Sequence, residues 1–427
     1  MNRQQVKPYE RVQLFSGGGS RFGYYLGSYA ALVEHDLAPD IIVGTCGGSL
    51  SAYLVQLASD PKDLQALMCS RELYSVIKAI RHVTPDEANR RAKMRYITHA
   101  LKRLGLSLSH QSSKAQRHRQ ADSYARLLDE LQQLAMFRID NEEQWLDELI
   151  GVSTNRHNIN RHNAFNANHT TPEIAIIASR LYSASANSDL LNNNLANTNL
   201  ANSSWTDTSA SNHHVQLQEL LFAPPLLAEY LSDLPTERMT SPTHSFANER
   251  IHPSVKLLTQ WDIQSVVRAS MADMYYLPPT HITELGWCLG GVINLTPIEL
   301  ACQLAKTVFA ETKDGYDAWL AAPAIKRVFG FDPNARLAAV HSYQSKAAPS
   351  KSEPSKLTSS KFAQPHWLPF ADNAQQLTGK NVQKRFNLQQ MTVELIHADY
   401  DGFVQQMQAQ WQYGYQRTAD YIQQHKL

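Results

Sequence analysis

Apolar residues in the first third of the chain come in short runs that stop at glycines. Val12–Ser16 is too short for a helix and predicts a buried strand ending on Gly17-Gly18-Gly19. Tyr24–Glu34 has helical spacing, with Leu26, Ala30, Leu32 and Val33 on one side. After Pro39, Ile41–Val43 predicts a second buried strand, Gly44–Gly48 a sharp turn, and Ser49–Ala58 a helix. Strand, glycine turn and helix thus occur twice in succession. That alternation predicts a parallel sheet covered by helices.

Further along, residues 61–150 are mainly helical in pattern, and Ile174–Ala178 is a clear strand. Leu257–Met271 reads as helical, Trp287–Leu295 spans another glycine turn, and Val393–His425 reads as a terminal helix. The stretches 155–171 and 185–214 are rich in Asn, Ser, Thr and His and predict surface loops, as does the Pro/Ser/Lys-rich stretch 345–361. His157, His162, His169, His213 and His214 lie in this low-complexity sequence without ligand spacing, so a metal site is not expected from them.

Composition narrows the function classes. The chain has 427 residues, 43% hydrophobic and 19% charged, with a formal net charge of +1. That suits a soluble globular protein and gives no reason to expect nucleic acid as a partner. Cys46, Cys69, Cys288 and Cys302 include no C-x-x-C pair, so neither a disulfide framework nor a zinc site is expected. The N-terminus has no apolar leader core, and no apolar run reaches the roughly 18 residues of a membrane span. A cytoplasmic location is therefore expected. Ala88–Ala121 carries no acidic residue but includes Arg90, Arg91, Lys93, Arg95, Lys102 and Arg103. It reads either as a basic helix packed on the core or as an interfacial segment touching anionic lipid.

Chemistry concentrates in three turns. Gly17-Gly18-Gly19-Ser20-Arg21 lies between strand and helix, where consecutive glycines let backbone N–H groups gather around a phosphate or a developing oxyanion. The P-loop Lys-Ser/Thr and the third glycine of a dinucleotide fingerprint are missing, which argues against a nucleotide. Gly44-Thr45-Cys46-Gly47-Gly48 has the form G-x-S-x-G with Cys46 in place of serine, a strained strand-to-helix turn that exposes a nucleophile. The plainer reading of Cys46 is a small buried turn residue. The third turn, Gly290-Gly291-Val292-Ile293-Asn294, follows Arg268-Ala269-Ser270-Met271-Ala272.

In this combination the chain resembles the patatin-like phospholipases. Their pattern is a glycine-rich loop ending in Arg-Gly, then G-x-S-x-G, then R-A-S-x-A ahead of D-G-G/A leading into Asn and Pro. The matching positions are Gly17–Arg21, Gly44–Gly48, Arg268–Ala272 and Leu289–Gly291. The resemblance implies a three-layer α/β/α fold with a mostly parallel central sheet, here with helical insertions and a helical C-terminal region. It implies a lipid acyl hydrolase domain over about 12–305, with a C-terminal extension over 306–427. It also implies a Ser–Asp dyad with no metal and no cofactor, and an oxyanion hole from Gly17, Gly18, Gly19 and Gly47, with Gly44 and Gly48 shaping the elbow.

Three positions depart from that pattern. Phe22 replaces the glycine after Arg21, Cys46 replaces the nucleophilic serine, and Leu289 replaces the aspartate. Cysteine keeps a nucleophile, since thiolate attacks well at neutral pH. A helix N-terminus lowers a thiol's pKa and an apolar neighbour raises it, so the two effects oppose each other. Leu289 removes the base outright. Asp273, His281 and Glu284 are the nearby groups able to replace it. The expectation is a lipid acyl hydrolase with a degenerate dyad, or else an inactive lipid-binding or scaffold protein of the same fold.

Overall fold

Short glycine-bounded apolar runs do become buried strands. In the computed structural model, which describes residues 7–91, 93–94, 124–149, 171–183, 215–233, 239–247, 250–318, 321–343, 365–390 and 392–427, β1 (Tyr9–Phe15) and β2 (Ile41–Thr45) pair in parallel. Val12 lies opposite Ile41, and Phe15 opposite Gly44. This parallel register brings the two glycine turns to the same end of the strands. The chain continues through β3 (Ile80–His82), β4 (Phe137–Ile139), β5 (Glu173–Ser183), β6 (Val215–Phe222) and β7 (Lys256–Leu258). Then come β8 (Thr280–Ile282), β9 (Gly286–Leu289), β10 (Ala305–Glu311), β11 (Pro365–Leu368), β12 (Gln383–Asn387) and β13 (Thr392–Ile396).

The central sheet runs β11-β10-β1-β2-β5-β6-β7, with β9 paired to β5 and β8 paired to β9. Its neighbours are parallel except where β6 and β9 meet β5 and where β8 meets β9. Alternate residues face opposite layers, as the pleat requires. Phe15, Ile42 and Ile176 pack under α1 (Gly23–Glu34) and α2 (Gly47–Leu57), while Leu14, Val43 and Ile177 pack under the helices Ile298–Leu304 and Ala321–Phe329. Helices on both faces of a mostly parallel sheet make the three layers that the resemblance implied.

Several elements differ from the periodicity. The helix expected from Leu257 begins only at Ile263, where the Asp262 carboxylate accepts the Ser265 N–H at 2.8 Å; Lys256–Leu258 before it is the edge strand β7. The terminal helix is Tyr400–His425 rather than Val393–His425. Asp399 caps it, and the alternating, β-branched Thr392–Ile396 pairs with β12 in a hairpin instead. The strand read at Ile174–Ala178 runs the full length of Glu173–Ser183. The late strands β10 and β11 lie beside β1, so the sheet continues past residue 305. The loops 155–171 (apart from Thr171), 185–214 and 345–361 fall outside the described residues, as do Arg95, Lys102 and Arg103. Among the described residues no helix is long and apolar enough to cross a membrane.

Candidate active site

The turn between β2 and α2 puts Cys46 in a conformation that L-residues resist. Its φ is 52° and its ψ −125°, and it occupies the N-cap of α2. A non-glycine residue held there stores on the order of 1–3 kcal/mol, so neighbours must impose it. The Cys46 N–H donates to Ser270 Oγ at 2.9 Å, and Ser270 Oγ donates to the Ile177 carbonyl at 2.7 Å. Ser49 Oγ donates to the Cys46 carbonyl at 2.6 Å, and Thr45 Oγ1 donates to the Leu295 carbonyl at 2.7 Å. The serine of Arg268-Ala269-Ser270 therefore fastens the Cys46 turn to β5.

The first glycine loop folds directly onto this turn. A Cβ at Gly17 would lie 2.8 Å from Leu295 Cδ1 and 3.1 Å from Cys46 Cβ. A Cβ at Gly47 would lie 2.9 Å from the Gly19 nitrogen and 3.4 Å from the Gly18 nitrogen. Only glycines permit this approach, which brings the backbone nitrogens of the loop to the start of α2. Gly44 and Gly48 serve the same closeness: a Cβ on Gly44 would meet Ser49 Cα at 2.8 Å, and one on Gly48 would overlap the Phe15 carbonyl.

Buried charge supports the loop from behind. Lys313 Nζ donates to the Gly17 carbonyl at 2.8 Å and pairs with Glu311 at 2.7 Å. Glu311 also accepts the Tyr24 hydroxyl at 2.6 Å and the Tyr25 hydroxyl. Phe22 is buried in the core under α1, and the close contact falls to Gly23, whose N–H donates to Gln410 Oε1 at 2.9 Å. Sequence reasoning missed Glu311, Lys313 and Gln410. Glu311 and Lys313 have one sequence signal, two charges just after the apolar run Val308–Ala310, and Gln410 has none.

The third turn arrives from the other side. Leu289 ends β9 opposite Ser179 and is wholly buried among apolar side chains. Gly290 N–H donates to the Ala272 carbonyl at 2.7 Å, and a Cβ on Gly291 would press on Thr45 Cβ at 3.1 Å. Of the three replacement groups, His281 is exposed and packs edge-on against Trp287, with ring centroids 5.2 Å apart, and Glu284 is also exposed. Asp273 alone has an oxygen out of solvent. Burial, then the Asp273 charge, pushes the Cys46 thiol up to about 12, against the Gly47 N–H and the charges of Lys313 and Lys384. Of the two opposed effects at the helix start, burial is the larger. Among the described residues no group of three His, Cys, Asp or Glu side chains is placed to hold a metal ion.

The model of the family described as patatin-like phospholipase matches residues 14–302. The chain belongs to the patatin-like phospholipase family. Over 48 residues it is 52% identical to a patatin-like phospholipase domain-containing protein of Pyricularia oryzae strain 70-15. The same length and identity relate it to one from Chaetomium globosum. In each case the matched stretch is 11% of this chain and only 6% of the relative. VipD from Legionella pneumophila aligns over 99% of this chain and 68% of its own, with 12% identity and a TM-score of 0.30. The family is one of lipid acyl hydrolases.

Proposed function

We propose that the chain binds a lipid acyl ester at the Cys46 turn and transfers the acyl group to water through a thioester on Cys46. The observation that carries this reading is the strained Cys46 backbone with Gly17–Gly19 folded against the first turn of α2. Backbone N–H groups gathered there suit the oxyanion that forms when sulfur attacks a carbonyl. Val292, Leu295, Tyr316, Phe331 and Leu337 line a narrow cleft that also contains Lys313, the residue bonded to Gly17. A thiol pushed up to about 12 is almost fully protonated at neutral pH, so turnover is slow. The test compares hydrolysis of a fluorogenic acyl ester by the wild type and Cys46→Ala. Turnover that survives in the alanine variant at the wild-type rate sinks the proposal.

A second reading, lipid binding without cleavage, is favoured by Leu289, whose buried side chain leaves no base at the family position. In this reading the protein is cytoplasmic and meets anionic membrane peripherally. Arg90 and Arg91 are exposed, while Lys93 is buried and unsuited to touch lipid. Co-sedimentation with phosphatidylserine vesicles, together with absent ester turnover, is the expected result on this reading.

A further inference from the structure

We infer that Asp273 supplies the carboxylate that position 289 lacks and acts as the general base for Cys46. This deepens the acyl-transfer reading and rests on it.

Placement is the first support. Three residues before Asp273, Ser270 Oγ accepts the Cys46 N–H at 2.9 Å. One residue before it, the Ala272 carbonyl accepts the N–H of Gly290, the neighbour of Leu289, at 2.7 Å. Asp273 therefore stands on the short link between the Cys46 turn and the turn where the family keeps its aspartate. The residue that follows, Met274, has φ 49°, a conformation a bulky side chain does not adopt unless it is forced. Strain of that kind concentrates where a neighbouring group must be aimed.

Chemical isolation is the second support. Asp273 Oδ1 is buried and has no hydrogen-bond partner among the described residues. A buried carboxyl oxygen left unsatisfied lowers stability and calls for an explanation, and a proton to be taken from a neighbour provides one. Arg268, five residues before Asp273, directs its Nη2 to Glu142 at 2.6 Å and to the Pro278 carbonyl at 3.1 Å. The groups that feel both Asp273 and Cys46 are Tyr276, Tyr316 and Lys384. They come from the segment after Asp273, the segment after Lys313, and β12. Lys384 Nζ lies 4.3 Å from the centre of the Tyr276 ring. Burial pushes the Asp273 carboxyl up to about 7, and the Lys384 charge holds it from rising further. A base with that pKa is half ionised at neutral pH, which suits proton transfer there.

The steps balance without any outside oxidant or reductant. Sγ bonds to the ester carbonyl carbon while its proton passes to the Asp273 carboxylate, and the carbonyl π pair becomes the oxyanion. On collapse the C–O bond to the alcohol breaks, and the departing oxygen takes the proton from Asp273. Water then attacks the thioester, giving one proton to Asp273, which returns it to Sγ as the acid leaves.

Two measurements on the 427-residue chain test this with Asp273→Asn, a nearly isosteric change. The first is single-turnover acylation by 4-nitrophenyl octanoate. The second is alkylation of Cys46 by iodoacetamide across pH, read by peptide mass. Loss of the base slows acylation by about 100-fold and abolishes the rise in wild-type rate through pH 7. Loss of the negative charge makes the thiol more acidic, so alkylation at a given pH becomes faster. Opposite movements are the expected result. Acylation unchanged or faster in the Asn variant overturns the inference, and so does a parallel fall in both rates, which marks a structural role. If Cys46→Ala abolishes acylation and Asp273→Asn leaves it intact, only this inference falls. If wild-type acylation does not depend on Cys46, the acyl-transfer reading falls with it.

Discussion

At Cys46 the balance of burial against helix dipole has a direct consequence. With the thiol pushed up to about 12, iodoacetamide should react with Cys46 very slowly at pH 7.5, and the rate should climb about tenfold per pH unit toward pH 11. A plateau below pH 9, measured by intact mass against time, contradicts that balance. Leu289 allows a complementary experiment. Its side chain is wholly buried among Val292, Ile293 and Ala175, so Leu289→Asp places a carboxyl in an apolar site and raises its pKa above that of the unfolded chain. Such an acid is tolerated when protonated and destabilises the fold as pH rises past the unfolded value near 4. Thermal unfolding should show a loss of roughly 2–4 kcal/mol at pH 8 that shrinks at pH 4. The local motif made the glycine turns beside Cys46 and Leu289 legible, because spacing around glycine is a local property. Lys313 and Lys384 were not legible, since they reach Cys46 from more than 260 residues away and no local pattern specifies which charges converge.

Elements were readable where one face meets the core and misread where a second partner covers them. The spacing of Leu26, Ala30, Leu32 and Val33 suggested a helix with a single apolar side. In fact α1 is buried nearly all round, because the terminal helix Tyr400–His425 lies across it and encloses Tyr24. That crossing depends on two glycines. A Cβ on Gly27 would overlap the Trp411 carbonyl, and one on Gly414 would overlap the Tyr24 carbonyl. Because both obstacles are backbone, the helices must separate rather than a side chain rotate. Gly414→Ala should therefore destabilise by about 2–3 kcal/mol, despite alanine's better helix propensity. Urea unfolding that shows no loss, or a gain of the ordinary Gly-to-Ala size, contradicts this close crossing. The same limit explains the hairpin β12–β13: alternation in Thr392–Ile396 was present in the sequence, but its partner Gln383–Asn387 is mostly exposed and polar, and its single apolar residue, Phe386, makes no periodic signal.

For the whole molecule, the residues that match the family are not the residues that complete the sheet. The matched stretch ends at 302, yet β10 (Ala305–Glu311) lies against β1, and β11 lies outside β10. Val308, Phe309 and Ala310 are fully buried between the layers, so they belong to the core rather than to an appendage. The same late segments reach the site. Lys313 holds the Gly17 carbonyl, Asn373 accepts from Arg21 Nε at 2.8 Å, and Gln410 contacts both Gly23 and the Ser20 carbonyl. A chain cut after Leu304 keeps every motif residue but leaves β1 as an unpaired edge and α1 uncovered. Exposed apolar area on that scale exceeds the 5–15 kcal/mol margin of a typical domain. The expected outcome for the 1–304 fragment is no cooperative thermal transition, strong binding of a hydrophobic dye, and no Cys46-dependent reaction with acyl esters. A sharp transition in that fragment would show that the late strands decorate a core able to stand without them. Cooperative folding without ester reactivity would be more informative still, because it would separate the sheet's stability from the clamp that the C-terminal segments place on Gly17–Gly23.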